Sequence, residues 1–503
     1  MRSQRWWLIG AAVLSATLFL FGTGLRPVPW CTWIAPIPVL VLAPRCSART
    51  ALATASLAWL GGQTPMWGYF LNTVQIPPTM AVLLLVGSAL LFGLVVIAYR
   101  RLTLRGHPLM AVGVVPAAWV VIEYALSLIT PNGAWWSLAY TQADVLPVIQ
   151  IASATGAWGV TFVLMGVAAT AAALLRPGAA GRVRVAVTAA TVAGLVAGYG
   201  WWQLQPAEAG AAVKVALLAT DRSIDPVAVT DPEGRDLLAG YVSRIPALAE
   251  RGADVVVLPE KTFRVDEADL PSLAGPLSRL AAGHHIDIVA GLILTRDGRE
   301  YNAAIDFPAD GGRPVEYVKR HLVPGLESDF TAGQAKAFVP GSGRRWAIAI
   351  CFDLDFPDLV RDYRRDGASA LFVPAWDFGD DAWLHSRMAI TRGIENGLAV
   401  ARAARQGALT VSDPHGRLLA EARTTGTSFV SVTADLPDHA VPTLYTWLGD
   451  WFAGICALLL VAIFASGAFL RPSPASPRRA DPLPSAPPVS SVHAHRPAGA
   501  DGR

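Results

Sequence analysis

Three residues whose side chains could together carry out acyl transfer each follow an apolar, strand-like segment. Cys351 follows the run at 346–350, and Glu260 follows the run at 255–259. Lys319 lies between them, at the end of a third such segment. A carboxylate, an amine and a thiol supply a base, an oxyanion stabiliser and a nucleophile. The sequence therefore predicts acyl transfer through a thioester on Cys351.

The order Glu260, Lys319, Cys351 resembles that of the nitrilase, or carbon–nitrogen hydrolase, superfamily. Supporting motifs are His-Leu-Val-Pro at 321–324 and Ser-Asp-Pro-His-Gly-Arg at 412–417. Together with its flanking apolar segments, the chain resembles one branch of that superfamily, the apolipoprotein N-acyltransferases, over roughly residues 6–470. This resemblance implies a catalytic domain built as an α-β-β-α sandwich.

The resemblance also implies a role for each residue. Glu260 would accept the thiol proton, and Lys319 would stabilise the thiolate and the tetrahedral oxyanion, helped by a backbone N–H near Phe352. Glu327 would assist the lysine and the acceptor amine. Asp353 stands where these acyltransferases usually carry glutamate, so a carboxylate is kept but shortened by one methylene.

Each of these residues also has a simpler explanation. A lone cysteine at a strand end is usually a small buried hydrophobe. Lys319 could lie at the surface, Glu260 could initiate a helix, and Glu327 could cap one. The family pattern also changes before Glu327, where Gly325-Leu326 replaces the usual Phe-Gly. These departures leave the reaction class intact but leave the substrate geometry open.

Two further regions could contact substrate. The loop at 376–385 interleaves aromatic and acidic residues and carries Trp376, Trp383 and His385. It could be a lid that meets lipid or an ordinary surface loop. Glu123 matches a glutamate of the family's membrane domain and lies in an apolar segment, where carboxylates are costly and often functional. It could bind substrate, although a structural contact between helices is favoured.

The sequence lacks the motifs of metal, phosphate-binding and cofactor sites. It has no His/Cys cluster with metal-ligand spacing, no phosphate-binding glycine loop and no cofactor fingerprint. The sequence therefore predicts neither a metal nor a cofactor. The net charge of +3 suggests no nucleic-acid partner.

The elements that must position these residues divide the chain into a membrane part and a soluble part. With 53% hydrophobic and 16% charged residues, the chain is too apolar for an ordinary soluble protein. Most of its apolar stretches approach the ~20 residues needed to cross a bilayer. These stretches predict about eight spans, near 6–25, 28–44, 50–71, 80–99, 109–129, 148–175, 183–203 and 452–470.

The placement of arginines predicts the orientation. They cluster before the first stretch and in every second loop, as at Arg100 and Arg101, which indicates a cytoplasmic amino terminus. Between the seventh and eighth spans, strand-like and helix-like segments alternate, which indicates an α/β domain outside the cytoplasmic membrane. The predicted domains are a seven-span membrane domain at 1–205, an extracytoplasmic nitrilase-like domain at 206–451, an eighth transmembrane helix at 452–470 and a disordered cytoplasmic tail at 471–503.

The resemblance implies an N-acyltransferase of the cytoplasmic (inner) membrane. A phospholipid would transfer an acyl chain to Cys351, and the chain would pass to the amino-terminal amine of a diacylglyceryl-cysteine lipoprotein. The alternative is a membrane-tethered amidase or nitrilase-type hydrolase that uses water as its second substrate. A lipid-binding pocket favours the first function, whereas an open polar cleft favours the second. A third possibility is a non-enzymatic scaffold that binds lipoproteins.

Overall fold

The computed structural model describes residues 2–176, 181–206, 211–339, 345–424 and 426–469. The predicted disordered tail at 471–503 lies outside these residues. Among the described residues, the amino-terminal part of the chain and one carboxy-terminal segment consist of helices without strands, and further helices alternate with the strands between them. The α-helices are α1 (Arg2–Gly22), α2 (Pro29–Ile34), α3 (Ile37–Leu42), α4 (Ala48–Gly62), α5 (Thr64–Gly68), α6 (Pro78–Leu104), α7 (Pro108–Ile129), α8 (Leu146–Ile149), α9 (Ala152–Thr155), α10 (Ala157–Leu174), α11 (Arg182–Gln203), α12 (Pro232–Val242), α13 (Ile245–Glu250), α14 (Leu270–His284), α15 (Pro357–Arg365), α16 (Ala382–Asn396), α17 (Leu444–Leu448) and α18 (Trp451–Ala465).

Within the described part of the chain, four helices are long and apolar enough to cross a membrane, namely α6, α7, α10 and α11. Shorter apolar helices occupy Trp6–Gly22, Leu146–Thr155 and Trp451–Ala465. The predicted stretch at 28–44 is interrupted, because Pro36 precedes α3 and Pro38 lies in its first turn, and proline cannot donate the hydrogen bond that would continue a helix. The helices therefore fit a multi-pass membrane domain, with fewer continuous long spans than the eight predicted.

The soluble part is built from two β-sheets. The strands are β1 (Ala212–Ala219), β2 (Val227–Ala228), β3 (Val255–Val257), β4 (Phe263–Asp266), β5 (Asp287–Arg296), β6 (Arg299–Phe307), β7 (Val315–Val318), β8 (Ala337–Val339), β9 (Trp346–Ile348), β10 (Ala370–Trp376), β11 (Ala399–Arg405), β12 (Ala408–Ser412), β13 (Leu418–Arg423) and β14 (Val430–Pro437). The first sheet has the order β14-β1-β3-β5-β4-β2, with β6 and β7 following β5. The second has the order β13-β12-β11-β10-β9-β8.

The two sheets pack face to face around a shared apolar core. Val215 and Val257 of the first sheet belong to the same buried cluster as Ile348 and Phe372 of the second. Helices α12, α13 and α14 cover the outer face of the first sheet, while α15 and α16 pack on the second. The layers are those of the α-β-β-α sandwich that the resemblance implied.

One predicted helix differs from the structure. The sequence predicts a single helix over 234–250, but α12 ends at Val242 and α13 begins at Ile245. Pro246 lies in the first turn of α13, where its missing N–H is tolerated, whereas within a continuous helix it would break the hydrogen-bond ladder. The local sequence carried this signal, and the break does not affect the residues discussed below.

Candidate active site

The three predicted catalytic residues come together at one edge, where the two sheets meet. Glu260 follows β3, Lys319 follows β7 and Cys351 follows β9. The Glu260 N–H donates to the carbonyl of Ala375, at the end of β10, over 3.3 Å, which ties the first sheet to the second at this point. Strands β3 and β9 each run parallel to a neighbour, so their carboxyl ends bring the residues that follow them to a common edge.

Lys319 lies between two buried carboxylates. Its Nζ is 2.8 Å from Oε1 of Glu260 and 2.9 Å from Oε2 of Glu327. All three residues are at most 1% exposed. The Asn302 side chain joins the same two carboxylates from the other side, because its Nδ2 donates to Oε1 of Glu260 at 2.6 Å and to Oε1 of Glu327 at 2.7 Å. One ammonium and one amide thus hold both acids in place.

The two glutamates differ in how many hydrogen bonds they accept. Glu327 accepts three, from Asn302 and from Lys261 Nζ at 2.7 Å on Oε1 and from the Val323 N–H at 2.8 Å on Oε2, and Oε2 also pairs with Lys319. Glu260 accepts both of its side-chain bonds on Oε1. Among the described residues, no donor is bonded to its Oε2. Glu260 therefore retains an oxygen that can take a proton.

Burial and charge shift the pKa values of this cluster in different directions. Burial alone would lower the pKa of Lys319, but Glu260 and Glu327 override it and hold that pKa well above its usual range. Burial works against the charged form of Glu327, yet Lys319 and Lys261 lower its pKa to about 2. Burial raises the pKa of the Cys351 thiol well above its usual range, and Glu260 adds to the rise, while Lys319 opposes it. Cys351 is therefore a thiol in the resting protein at neutral pH.

The backbone at Cys351 is strained and is held by Asp353. Cys351 has a φ of 43°, in the left-handed region that non-glycine residues rarely adopt. It opens a short 3₁₀ turn, Cys351–Asp355. The buried Asp353 carboxylate accepts from the Ile350 N–H at 3.0 Å, from the His321 N–H at 2.9 Å and from the Tyr317 hydroxyl at 2.7 Å. Asp353 therefore positions the nucleophile turn against the loop after Lys319.

A cavity of about 460 Å³ opens onto these residues. Glu260, Lys319, Glu327, Cys351 and Phe352 line it on the catalytic side. A second part of its wall comes from the helical part of the chain and is largely apolar. That part is formed by Tyr69, Phe70, Val74, Gln75, Ile76, Pro77, Met80, Leu84, Asn132, Trp135 and Trp136.

The residues proposed to contact substrate separate into two groups. Trp376 and His385 line the cavity, and their contact with substrate stays a prediction. Trp383 does not, since its Nε1 donates to Asp144 at 3.2 Å and its ring packs near Arg387. The loop therefore contributes only part of its predicted aromatic set to this wall.

Glu123 also lies away from the cavity. Its Oε1 accepts from Trp119 Nε1 at 3.0 Å and from the Leu138 N–H at 2.9 Å. Its Oε2 accepts from Ser137 at 3.0 Å and from Thr161 at 2.9 Å. These bonds join α7, α10 and the loop before Leu138, which is the structural contact between helices that the sequence favoured over substrate binding.

One group of side chains near the nucleophile offers metal-ligand atoms. The ligand atoms of Cys351, Asp377 and His385 lie within 4.8 Å of one another. Both oxygens of Asp377, however, accept hydrogen bonds from the buried guanidinium of Arg402. This bidentate pair neutralises the carboxylate, so the group is a weak candidate for a resident metal.

Asn302 and Lys261 were not predicted from the sequence. Asn302 lies in β6, directly before the apolar residues at 303–305. A polar residue beside such an apolar run was the feature of the sequence that could have identified it. Lys261 directly follows Glu260 and is one of only four lysines in the chain. The pairing of both residues with Glu327 depends on contacts that are distant in sequence.

Comparison with known proteins gives two family matches that together span most of the chain. The carbon-nitrogen hydrolase family matches residues 207–440. The family described as the apolipoprotein N-acyltransferase N-terminal domain matches residues 6–170. The two matched segments correspond to the soluble and the helical parts of the structure.

Individual relatives agree with these matches. The chain is 28% identical to an apolipoprotein N-acyltransferase of Geobacter metallireducens, over 92% of this chain and 95% of that protein. It is 27% identical to one of Gloeobacter violaceus, over 89% and 92%. A 2-oxoglutaramate amidase of Bacillus subtilis is 32% identical over 34% of this chain and 73% of its own length.

Proposed function

The chain belongs to the apolipoprotein N-acyltransferase family, within the carbon–nitrogen hydrolases, and on this basis we propose that it N-acylates lipoproteins through a thioester on Cys351. The acyl donor is a phospholipid, and the acceptor is the amino-terminal amine of a diacylglyceryl-cysteine lipoprotein. The observation that carries this proposal is the position of Cys351, Glu260 and Lys319 in a cavity that is also lined by largely apolar residues of the helical part.

In the first half-reaction, Cys351 attacks an ester carbonyl of the donor. Oε2 of Glu260 takes the thiol proton as the C–S bond forms, because that oxygen is uncommitted. The ester C–O bond then breaks, and Glu260 returns the proton to the leaving lysophospholipid oxygen. Glu327 is unsuited to this task, because a carboxylate with a pKa of about 2, three hydrogen-bond donors and an ion pair to Lys319 does not accept a proton at neutral pH.

Lys319 stabilises the negative charge that develops during this attack. Its buried ammonium is held by two carboxylates and lines the cavity beside Cys351, so it requires no rearrangement as the oxyanion forms. A backbone N–H near Phe352 is the second proposed donor. In the second half-reaction, Glu260 takes a proton from the acceptor amine, the amide bond forms, and the C–S bond breaks to release the Cys351 thiol.

The apolar wall gives the membrane part a chemical purpose. Both substrates carry acyl chains, and a cavity bounded by Phe70, Ile76 and Met80 can receive such a chain directly from the bilayer. Limiting water in the cavity would also protect the thioester from hydrolysis. Both features favour transfer to an amine over the hydrolase alternative.

The proposed topology follows from the arginine asymmetry. Eight spans, seven of them within 1–205 and the last at 452–470, would place the domain at 206–451 outside the cytoplasmic membrane and the tail at 471–503 inside. A cysteine replacing Arg235 should react with an impermeant thiol reagent added from outside. A cysteine near residue 490 should be protected, and labelling of the tail alone would reverse the orientation.

The decisive experiment is detection of the thioester. Purified enzyme given phospholipid without acceptor should accumulate one acyl chain on Cys351 that neutral hydroxylamine removes. Adding a diacylglyceryl-modified peptide should move the chain to the peptide's amine, as followed by mass spectrometry. Cys351→Ala is the matched control and should form no adduct. Equal decay of the adduct in water, with or without peptide, would replace the acyltransferase proposal with the hydrolase alternative.

A further inference from the structure

Lys261 lines the catalytic cavity but takes no part in the proton transfers proposed above. Its side chain is 12% exposed, whereas that of Lys319 is 1% exposed. Both lysines line the same cavity as Cys351. A substrate in the cavity can therefore reach the ammonium of Lys261 more readily than that of Lys319.

The backbone at Lys261 is held in an unusual conformation. Its φ of 47° lies in the left-handed region, which a long side chain rarely adopts without a compensating constraint. The next residue supplies the constraint, because the Thr262 N–H donates to the Gly291 carbonyl at 3.1 Å and its hydroxyl donates to the Pro259 carbonyl at 2.9 Å. The turn thus presents Glu260 and Lys261 to the same cavity.

The ammonium of Lys261 is only partly satisfied. An ammonium carries three N–H donors. In the described part of the chain, its hydrogen-bond partner is Oε1 of Glu327, at 2.7 Å. Two aromatic rings lie near this ammonium, with Nζ 5.0 Å from the centre of the Trp376 ring and 5.7 Å from that of Phe330. Two of its three donors therefore have no hydrogen-bond partner among the described residues, and the side chain lines the cavity.

The charges of the wall also allow an anion to bind. Glu260 and Glu327 are balanced by Lys319 and Lys261, and Cys351 is protonated in the resting protein. An anion that bonds to Lys261 therefore meets no net negative charge from these side chains.

Building on the function proposed above, we propose that Lys261 binds the phosphate of the donor phospholipid and makes the enzyme selective for phosphate-bearing acyl donors. In such a donor the phosphodiester is joined through glycerol to the ester that Cys351 attacks. A cation and the nucleophile on one cavity wall suit that arrangement. A charge-assisted hydrogen bond of this kind changes affinity by about 10- to 100-fold.

The test compares two donors with identical acyl chains, dipalmitoyl phosphatidylethanolamine and dipalmitoylglycerol, in the same detergent micelles. Acylation of Cys351 is measured for the wild type, Lys261→Gln and Lys261→Arg. The wild type should prefer the phospholipid by about tenfold or more in kcat/KM, mainly through KM, for one charge-assisted bond. Lys261→Gln should lose this preference, and Lys261→Arg should keep most of it, because a guanidinium also binds phosphate.

A matched control is Lys336→Gln, because Lys336 pairs with Asp366 and does not line the cavity. It should behave as the wild type. Glycerol 3-phosphate should compete with the phospholipid in the wild type and not in Lys261→Gln, whereas inorganic phosphate tests whether the glycerol unit is needed. If Lys261→Gln slows both donors equally, Lys261 merely holds Glu327 and the inference is wrong. If the wild type forms no adduct with either donor, the proposed function itself fails.

Discussion

Replacing Lys319 with methionine should have two separable effects. The ammonium is bonded at 2.8 Å and 2.9 Å to two carboxylates that are at most 1% exposed, so its loss leaves buried negative charge without its main partner. Breaking a buried ion pair in this way costs about 3–5 kcal/mol of stability. Losing one oxyanion donor costs a further factor of about 10²–10³ in rate.

A second substitution separates these effects. In Lys319→Met/Glu327→Gln one buried acid is removed together with the lysine, so much of the lost stability should return. The rate should stay at least ~100-fold below that of the wild type, because the oxyanion still lacks its ammonium. Stability is read from the thermal midpoint in detergent, and rate from the appearance of hydroxylamine-labile acyl chain on Cys351.

The double variant decides the role of Lys319. If it regains both stability and a near-normal rate, Lys319 serves only to neutralise Glu327, and its catalytic role is refuted. Lys319→Arg is the charge-preserving control. It should remain slow, because a planar, forked guanidinium does not fit the position of a compact ammonium between two carboxylates.

Three further predictions test neighbouring groups. Asn302→Ala removes two short bonds to Glu260 and Glu327, each worth about 1.5–3 kcal/mol as charge-assisted bonds, so both the thermal midpoint and the acylation rate should fall; an unchanged midpoint would contradict this. Because burial raises the pKa of the Cys351 thiol, its alkylation by iodoacetamide, followed by peptide mass spectrometry, should still accelerate above pH 9, and a plateau below pH 8 would refute the resting thiol. Burial also raises the pKa of Asp355 from 3.8 to about 7, so its contribution to stability is present below pH 3.8 and lost as the pH rises through 7; Asp355→Asn should therefore stabilise the protein increasingly from pH 5 to pH 8, by up to about 4 kcal/mol, measured as the difference in thermal unfolding.

The layered α/β architecture was predictable because its signals are local. Apolar runs at 255–258 and 370–373 begin where β3 and β10 begin, although β10 continues to Trp376, and buried strands are marked by such runs. Spans were harder to predict, because apolar composition does not show whether prolines divide a stretch into short helices, as they do at 28–44. Strand β6 was not distinguished in advance, although it pairs with β7, the strand that Lys319 follows.

The residues of the candidate site also differ in whether local sequence reveals them. Cys351, Glu260 and Lys319 each follow a recognisable segment, so their types and order could be read from the chain. The partners that set their protonation could not, because Asn302 and Lys261 act through contacts 42 and 66 residues away in sequence. Nothing in a single local segment records such contacts.

The two glutamates show how these distant contacts define the chemistry. Both are buried, both are bonded to Lys319, and both share the amide of Asn302. They differ because Lys261 and the Val323 N–H complete the bonding of Glu327, whereas Oε2 of Glu260 keeps no donor among the described residues. The added cation is therefore what separates a fixed structural anion from a carboxylate able to move a proton. If Lys261 also binds the donor's phosphate, arrival of the phospholipid would redistribute its bonds and couple substrate binding to the charge around Glu327.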